Sequence, residues 1–202
     1  SLSLRFHHLS QEFLRDKRRQ YDEYIAFVDS EFGRLMRTLE DSGALDHTCV
    51  ILTSDHGELF ERAIWGHMTE VLYEPLLHIP LLIFHPDIKE RIDVRQMTSA
   101  VDLLPTITEI ADCPRPQWCE GRALKPFASD PLRQDRAIYA VDAKEAPRRG
   151  PIEKGSFALM KDPFKLIRYF GYSGCEDTYE LFNVQEDPEE VYSLRDSDAS
   201  TF

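Results

Sequence analysis

Nowhere in this 202-residue chain do apolar residues run on for the roughly 18 positions a membrane-spanning helix needs, so no transmembrane segment is expected. Basic residues are in short supply: 24 Lys and Arg stand against 36 Asp and Glu, a net charge of -12. That balance argues against a nucleic-acid or anionic-membrane surface, although a locally positive or metal-bearing site can still hold an anion. Cysteine is sparse as well, with four residues at 49, 113, 119 and 175. None forms a C-x-x-C pair, which removes zinc ribbons and dithiol redox motifs, and four are too few for a disulfide scaffold. Cys49 reads as a small core residue, while a local disulfide between Cys113 and Cys119, either side of Pro114-Arg115-Pro116, stays open. There is no internal repeat and no low-complexity tract. The opening Ser1-Leu2-Ser3-Leu4-Arg5 does not read as a secretory leader, and the compartment stays unassigned. What is present, 42% hydrophobic and 30% charged residues, describes a globular protein with room for one sizeable core and at most a small appendage.

Between about 10 and 42, Tyr21, Ile25, Val28, Phe32, Leu35, Met36 and Leu39 recur at helical spacing, and Gly43 provides the stop. Thr48-Cys49-Val50-Ile51-Leu52-Thr53 is β-rich and nearly all apolar, the pattern of a strand buried on both faces. A helix leading into such a strand predicts an α/β sheet with crossover connections. Pro80 to Phe84 is a second buried strand candidate, and Asp102 is placed to cap a helix running to about Ala111. After about residue 125 the pattern changes to short strands. Ala137 to Val141 is one, and Phe157 to Met160 with Phe164 to Tyr169 form a hairpin across Lys161-Asp162-Pro163. Residues 142–155, rich in charge, proline and glycine, read as an exposed loop, and the tail from Asp177 to Asp198 is acidic.

Asp55-His56-Gly57 follows directly on the first apolar strand. In α/β sheets ligands tend to sit just beyond the carboxyl ends of strands. Asp55 offers a carboxylate oxygen and His56 an imidazole nitrogen, both serviceable to a divalent cation, and Gly57 permits a sharp turn. Taken alone, the tripeptide is better read as a capped turn in which His56 is an ordinary loop residue.

The surroundings add to it. Asp46-His47-Thr48, the apolar strand and Thr53-Ser54-Asp55-His56-Gly57-Glu58 are followed by Trp65-Gly66-His67, Leu72-Tyr73-Glu74 and Ile79-Pro80-Leu81-Leu82-Ile83. Further on come Val101-Asp102-Leu103-Leu104-Pro105-Thr106, Gly121-Arg122-Ala123-Leu124, Tyr179-Glu180-Leu181-Phe182-Asn183 and Glu186-Asp187-Pro188-Glu189-Glu190. In this order, from about 20 to 195, the segments resemble the sulfatase family of the alkaline-phosphatase-like superfamily. The resemblance implies a divalent metal, calcium or else manganese, that holds an ester's anionic oxygens, and a formylglycine nucleophile made from a Cys or Ser in a "C/S-x-P/A-x-R" motif. It makes Asp55 and His56 the second pair of metal ligands. It places His67 where the family has a Lys or His close to the sulfate or leaving group, which gives that residue a catalytic role, with a surface histidine as the plainer reading. Glu58 reads as a solvated loop carboxylate, or else as a group orienting a ligand. Trp65 and Tyr73 read as packing residues, and Asp102, Pro105 and Thr106 serve a helix start. The pairs His7-His8 and Arg148-Arg149 read as solvated.

One departure from the family stands out. No cysteine sits in a nucleophile motif; Ser129-Asp130-Pro131-Leu132-Arg133 matches the serine form but lies after the Asp-His pair, where the family has its nucleophile before it. The family's first pair of acidic ligands is missing too. The chain is therefore expected to be the C-terminal portion of a longer enzyme, inactive alone, with the formylglycine in the missing N-terminal part. The expected fold is part of a sulfatase-like α/β sheet sandwiched by helices (1–125), plus a small C-terminal antiparallel sheet (126–202). The substrate class is a small-molecule or glycan sulfate ester, and a homo-oligomer stays open. The alternatives are a phosphate or phosphonate ester hydrolase of the same superfamily and a non-catalytic module that binds a partner.

Overall fold

A computed structural model of the chain describes residues 9–128, 136–145, 150–173 and 178–196. His7, His8, Ser129 to Arg133, Arg148, Arg149 and Cys175 lie outside these. The chain divides into two compact units, 1–91 with 171–176 and 92–170 with 177–202.

The first unit opens with α1 (Gln11–Asp41), close to the expected span. Ser10 caps it: its Oγ accepts from the Phe13 N–H at 3.2 Å, and Glu12 in the first turn complements the helix dipole. Gly43, at φ +72°, ends it in the left-handed conformation that a side chain would resist. The apolar stripe is only partly used. Leu14 is the buried residue of α1, and Phe32 brings its ring to 6.3 Å from Phe84, but Tyr24, Ile25, Phe27 and Val28 are exposed.

Two strand expectations change. β1 (Val50–Thr53) pairs with β2 (Leu81–Phe84) in antiparallel register from Val50↔Phe84 to Thr53↔Leu81, so the two are not related by a crossover. Nor is either buried on both faces: Leu82 and Phe84 are exposed and Cys49 is only half-buried. With one partner strand each among the described residues, the ribbon has too little around it to cover its apolar side chains. The buried apolar residues lie instead in the connection, at Leu59, Ile64, Val71, Leu72, Tyr73 and Leu76, the last inside the one-turn helix α2 (Glu74–Leu77). Residues 54–80 are thus a packed segment that links β1 to β2.

The second unit begins with a 3-10 turn, Ala100–Asp102, that runs into α3 (Leu103–Ile110). Asp102 does not cap α3 with its side chain. Its buried carboxylate accepts the Ser99 N–H (2.9 Å), the Arg122 N–H (2.8 Å) and both terminal nitrogens of Arg136 (2.6 and 2.7 Å). Thr106 Oγ1 donates to Asp102 O and accepts the Leu124 N–H. Gly121 passes so close to Val101 that a Cβ there would stand 1.9 Å from the Val101 carbonyl oxygen. Cys113 and Cys119 are free thiols.

The expected antiparallel sheet follows as β3 (Ile138–Glu145), β4 (Lys154–Lys161), β5 (Phe164–Phe170) and β6 (Thr178–Asn183), neighbours in that order. Lys161↔Phe164 closes the hairpin across Asp162-Pro163. β3 and β4 reach into the segment expected to be loop, where Lys154 binds Glu145 at 3.2 Å. One face of the sheet buries Ser156, Ala158, Lys165, Ile167, Tyr169 and Phe182. Lys165 in that face meets Glu190, equally buried, at 2.7 Å. A charge out of water needs such a partner.

Candidate functional site

β1 ends at Thr53, whose hydroxyl donates to the Pro80 carbonyl at 2.8 Å and ties the exit of β1 to the entry of β2. The chain then turns through Asp55, His56 and Gly57. Gly57 is required here by close approach: its N–H donates to the Leu76 carbonyl at 2.9 Å, and a Cβ would stand 1.9 Å from the Pro75 carbonyl oxygen. α2 thereby fixes where His56 sits.

Leu59 and Gly66 then form an isolated antiparallel bridge, with the Gly66 N–H donating to Leu59 O at 2.9 Å. The turn between them holds Arg62 and Ala63 at φ +56° and +58°. Contacts with α1 hold this turn. Trp65 meets Phe13 edge-on at 5.7 Å, Tyr21 lies 5.3 Å from Phe60, and Arg18 reaches Glu61. Trp65 is 44% exposed and Tyr73 is buried, so both pack, Trp65 with one face still open. In an antiparallel pair the residues flanking a bridge face one another. Leu59 points into the core, so Glu58 and His67, on the opposite side, come together.

They meet at 2.8 Å, Glu58 Oε2 to His67 Nδ1. The Glu58 side chain is only 14% exposed and that of His67 42%, so Glu58 is not the solvated loop carboxylate that its position after His56-Gly57 suggests. The His56 and His67 rings stack at 4.1 Å and 29°. His56 Nδ1 lies 2.9 Å from the Gly57 carbonyl, and its backbone N–H donates to Asp55 Oδ1 at 3.0 Å. A carbonyl only accepts, so Nδ1 carries a proton, and in the neutral ring Nε2 keeps its lone pair. Asp55 Oδ2 lies 3.7 Å from that Nε2.

Two sets of donors are therefore available to a cation. Asp55 Oδ2 and His56 Nε2 are separated as two ligands about 2.1–2.4 Å from one cation are, and the proton on Nδ1 is held by a backbone carbonyl, a common arrangement for a metal-bound histidine. Asp55, the most exposed group here at 88%, is open on its outer side. The second set, His56, Glu58 and His67, brings its donor atoms within 4.8 Å of one another. An imidazole binds in its ring plane, and planes only 29° apart in a stack do not converge at bonding distance. The geometry as it stands favours the first set.

The comparisons agree with the order of the motifs. A Sulfatase family model matches residues 5–113, and one described as N-sulphoglucosamine sulphohydrolase, C-terminal, matches 65–201. Arylsulfatase K of Bos taurus is 29% identical over 189 residues, covering 92% of this chain and 34% of that protein. A phosphonate monoester hydrolase from Silicibacter pomeroyi superposes with a TM-score of 0.66 at 28% identity, over 78% of this chain and 33% of that one. A putative sulfatase from Bacteroides thetaiotaomicron reaches 0.78 over 93% of this chain and 40% of that one, and at 20% identity it speaks to the fold alone. The chain thus spans about a third of the length of the curated relatives it matches.

Proposed function

The chain belongs to the sulfatase family, and from that premise we propose that it is the C-terminal portion of a metal-dependent sulfuric ester hydrolase. Residues 1–125 belong to the catalytic α/β domain and 126–202 form a small antiparallel subdomain. The observation that carries the reading is the pairing of Asp55 Oδ2 with a His56 Nε2 whose lone pair is left free by the Nδ1 contact to Gly57. Asp55 and His56 hold the metal, calcium in preference and manganese as the alternative that an imidazole donor admits. When bound, the cation supplies Lewis-acid polarisation and a template for the ester's anionic oxygens. His67 presents Nε2 toward the leaving-group oxygen and, as the imidazolium, supplies the proton it needs. The nucleophile and the remaining ligands come from upstream sequence, so this chain alone turns nothing over.

The match to an N-sulphoglucosamine sulphohydrolase model favours a sulfated sugar or glycan as substrate. A phosphonate or phosphate monoester is the second reading, favoured by the phosphonate monoester hydrolase neighbour and by the Asp-His pairing. The upstream motif separates them: "C-x-P-S-R" indicates a sulfatase, an unmodified Ser or Thr a phosphoryl-transfer enzyme. Calorimetry of the full-length parent with calcium and manganese tests the site. Binding should weaken strongly in Asp55→Ala and in His56→Ala. Cation binding that ignores both substitutions, or none at all, would leave a non-catalytic scaffold as the better account. Robust aryl sulfate hydrolysis by the 202-residue chain alone would contradict the division of the site.

A further inference from the structure

His67 does not stand alone in this site, and the group behind it has no role in the reading above. Glu58 enters the loop on the side opposite Leu59, which is buried, and the Leu59–Gly66 bridge sets it directly across from His67. Its carboxylate is largely withdrawn from solvent, at 14% side-chain exposure, and lies 2.8 Å from Nδ1. The pair is held from three sides. Gly66 has φ +100°, a conformation available to glycine, and sets the strand direction just before His67. The His56 ring covers one face of the His67 ring at 4.1 Å, and Trp65 locks the preceding turn against Phe13 of α1.

We propose that Glu58 is the positioning residue of His67: it holds the proton on Nδ1 in the imidazolium and in the neutral ring alike, so that Nε2 is the atom that faces the ester, carrying the proton the leaving group takes and left bare, as the Nδ1–H tautomer, once that proton has gone. A carboxylate has no proton to donate, so a short contact to Nδ1 requires the N–H on that nitrogen. Which nitrogen of a histidine does the work is set by the bond the other one makes. Without Glu58 the ring would be free to rotate about its side-chain bonds and to carry its proton on either nitrogen. This rests on the assignment of His67 to the leaving group, but it adds a residue that acts only through His67 and touches neither ester nor metal.

The test is the tautomer itself, read by long-range proton–nitrogen NMR of the 15N-labelled chain under conditions where the ring is neutral. The wild type should show His67 with a protonated Nδ1 and an unprotonated Nε2. In Glu58→Ala the two nitrogen signals should move toward each other or exchange positions. In Glu58→Gln the amide oxygen still accepts from Nδ1, so the wild-type pattern should return. A bystander side chain that merely packed in the loop would produce no such rescue. The Gly57 and Gly66 amide signals, whose N–H groups bond to Leu76 and Leu59, report that each variant keeps the fold around the pair. A wild-type His67 protonated on Nε2, or an Nδ1–H tautomer that survives Glu58→Ala in a folded chain, overturns the proposal. The underlying reading is tested separately: undiminished turnover of the full-length parent carrying His67→Asn would remove His67 from the reaction and leave the tautomer result standing.

Discussion

Removing the Asp102 carboxylate should be among the most damaging single changes to the second unit. The side chain is fully buried and takes four hydrogen bonds, two from the Arg136 guanidinium and one each from the Ser99 and Arg122 backbone N–H groups. Asp102→Ala leaves Arg136, itself only 15% exposed, as an uncompensated charge. Breaking one side of a buried ion pair costs about 3–5 kcal/mol. Each orphaned backbone N–H adds about 1–3 kcal/mol where water cannot reach it. These terms overlap, because all four bonds end on the one carboxylate and are lost together, so about 4–6 kcal/mol is the working figure. At about 2–4 °C per kcal/mol for a chain this size, the melting temperature should fall by roughly 10–20 °C. Urea and thermal denaturation followed by far-ultraviolet circular dichroism measure it. Arg136→Met should cost less, since Asp102 keeps its two backbone donors, and a double-mutant cycle should show coupling above about 1 kcal/mol. A loss below about 1 kcal/mol in Asp102→Ala would refute the reasoning, because it would mean that the four bonds are not made in a dry site.

Gly57→Ala should unseat His56, because the added Cβ collides with the Pro75 backbone, not with a side chain that can move; in the full-length parent metal affinity should fall, and unchanged affinity would show that α2 does not set the His56 position. Burial pushes the Cys49 thiol up, so less of it is thiolate at any given pH. Mass-spectrometric mapping after iodoacetamide at pH 8 should find Cys113, which is exposed, modified well before Cys49; equal rates would argue that the entry to β1 at Cys49 opens readily.

The candidate half-site was legible in the sequence to the extent that the position of its residues follows from the strand end. Asp55 and His56 come directly after an apolar strand, and the structure places them within 3.7 Å through side-chain atoms. The part that was not legible depends on a pairing with weak local signals. The turn joining Leu59 to Gly66 is built on Arg62 and Ala63 at positive φ, where glycine or asparagine would have announced it. Without that turn nothing places Glu58 opposite His67, and a glutamate after His-Gly reads as solvated. The apolar runs at 49–53 and 81–84 told of side chains that favour cover, but apolar content does not say how many neighbours a strand has. For the same reason the helical stripe on α1 was visible while its exposure was not. In the second unit the strands at 142–145 and 154–155 were hidden by charge, since Lys144 pairs with Asp142 and Lys154 with Glu145 along the sheet. Asp102 was legible as a helix-start residue, but its bond to Arg136 spans 34 positions, a distance over which local pattern is silent.

The Leu59–Gly66 bridge also has a consequence in time. Glu58 and His67 are nine positions apart, and loops of that length close in about 10–100 ns. The pairing can therefore be sampled as soon as this stretch of chain exists, long before contacts such as Asp102 with Arg136. A lone bridge is too weak to persist in water. It becomes durable only when the Gly57 N–H docks on Leu76 and α1 closes over Trp65 and Phe60. During synthesis the Glu58–His67 pairing would thus be visited early and locked late, with the one-turn helix at 74–77 acting as the latch.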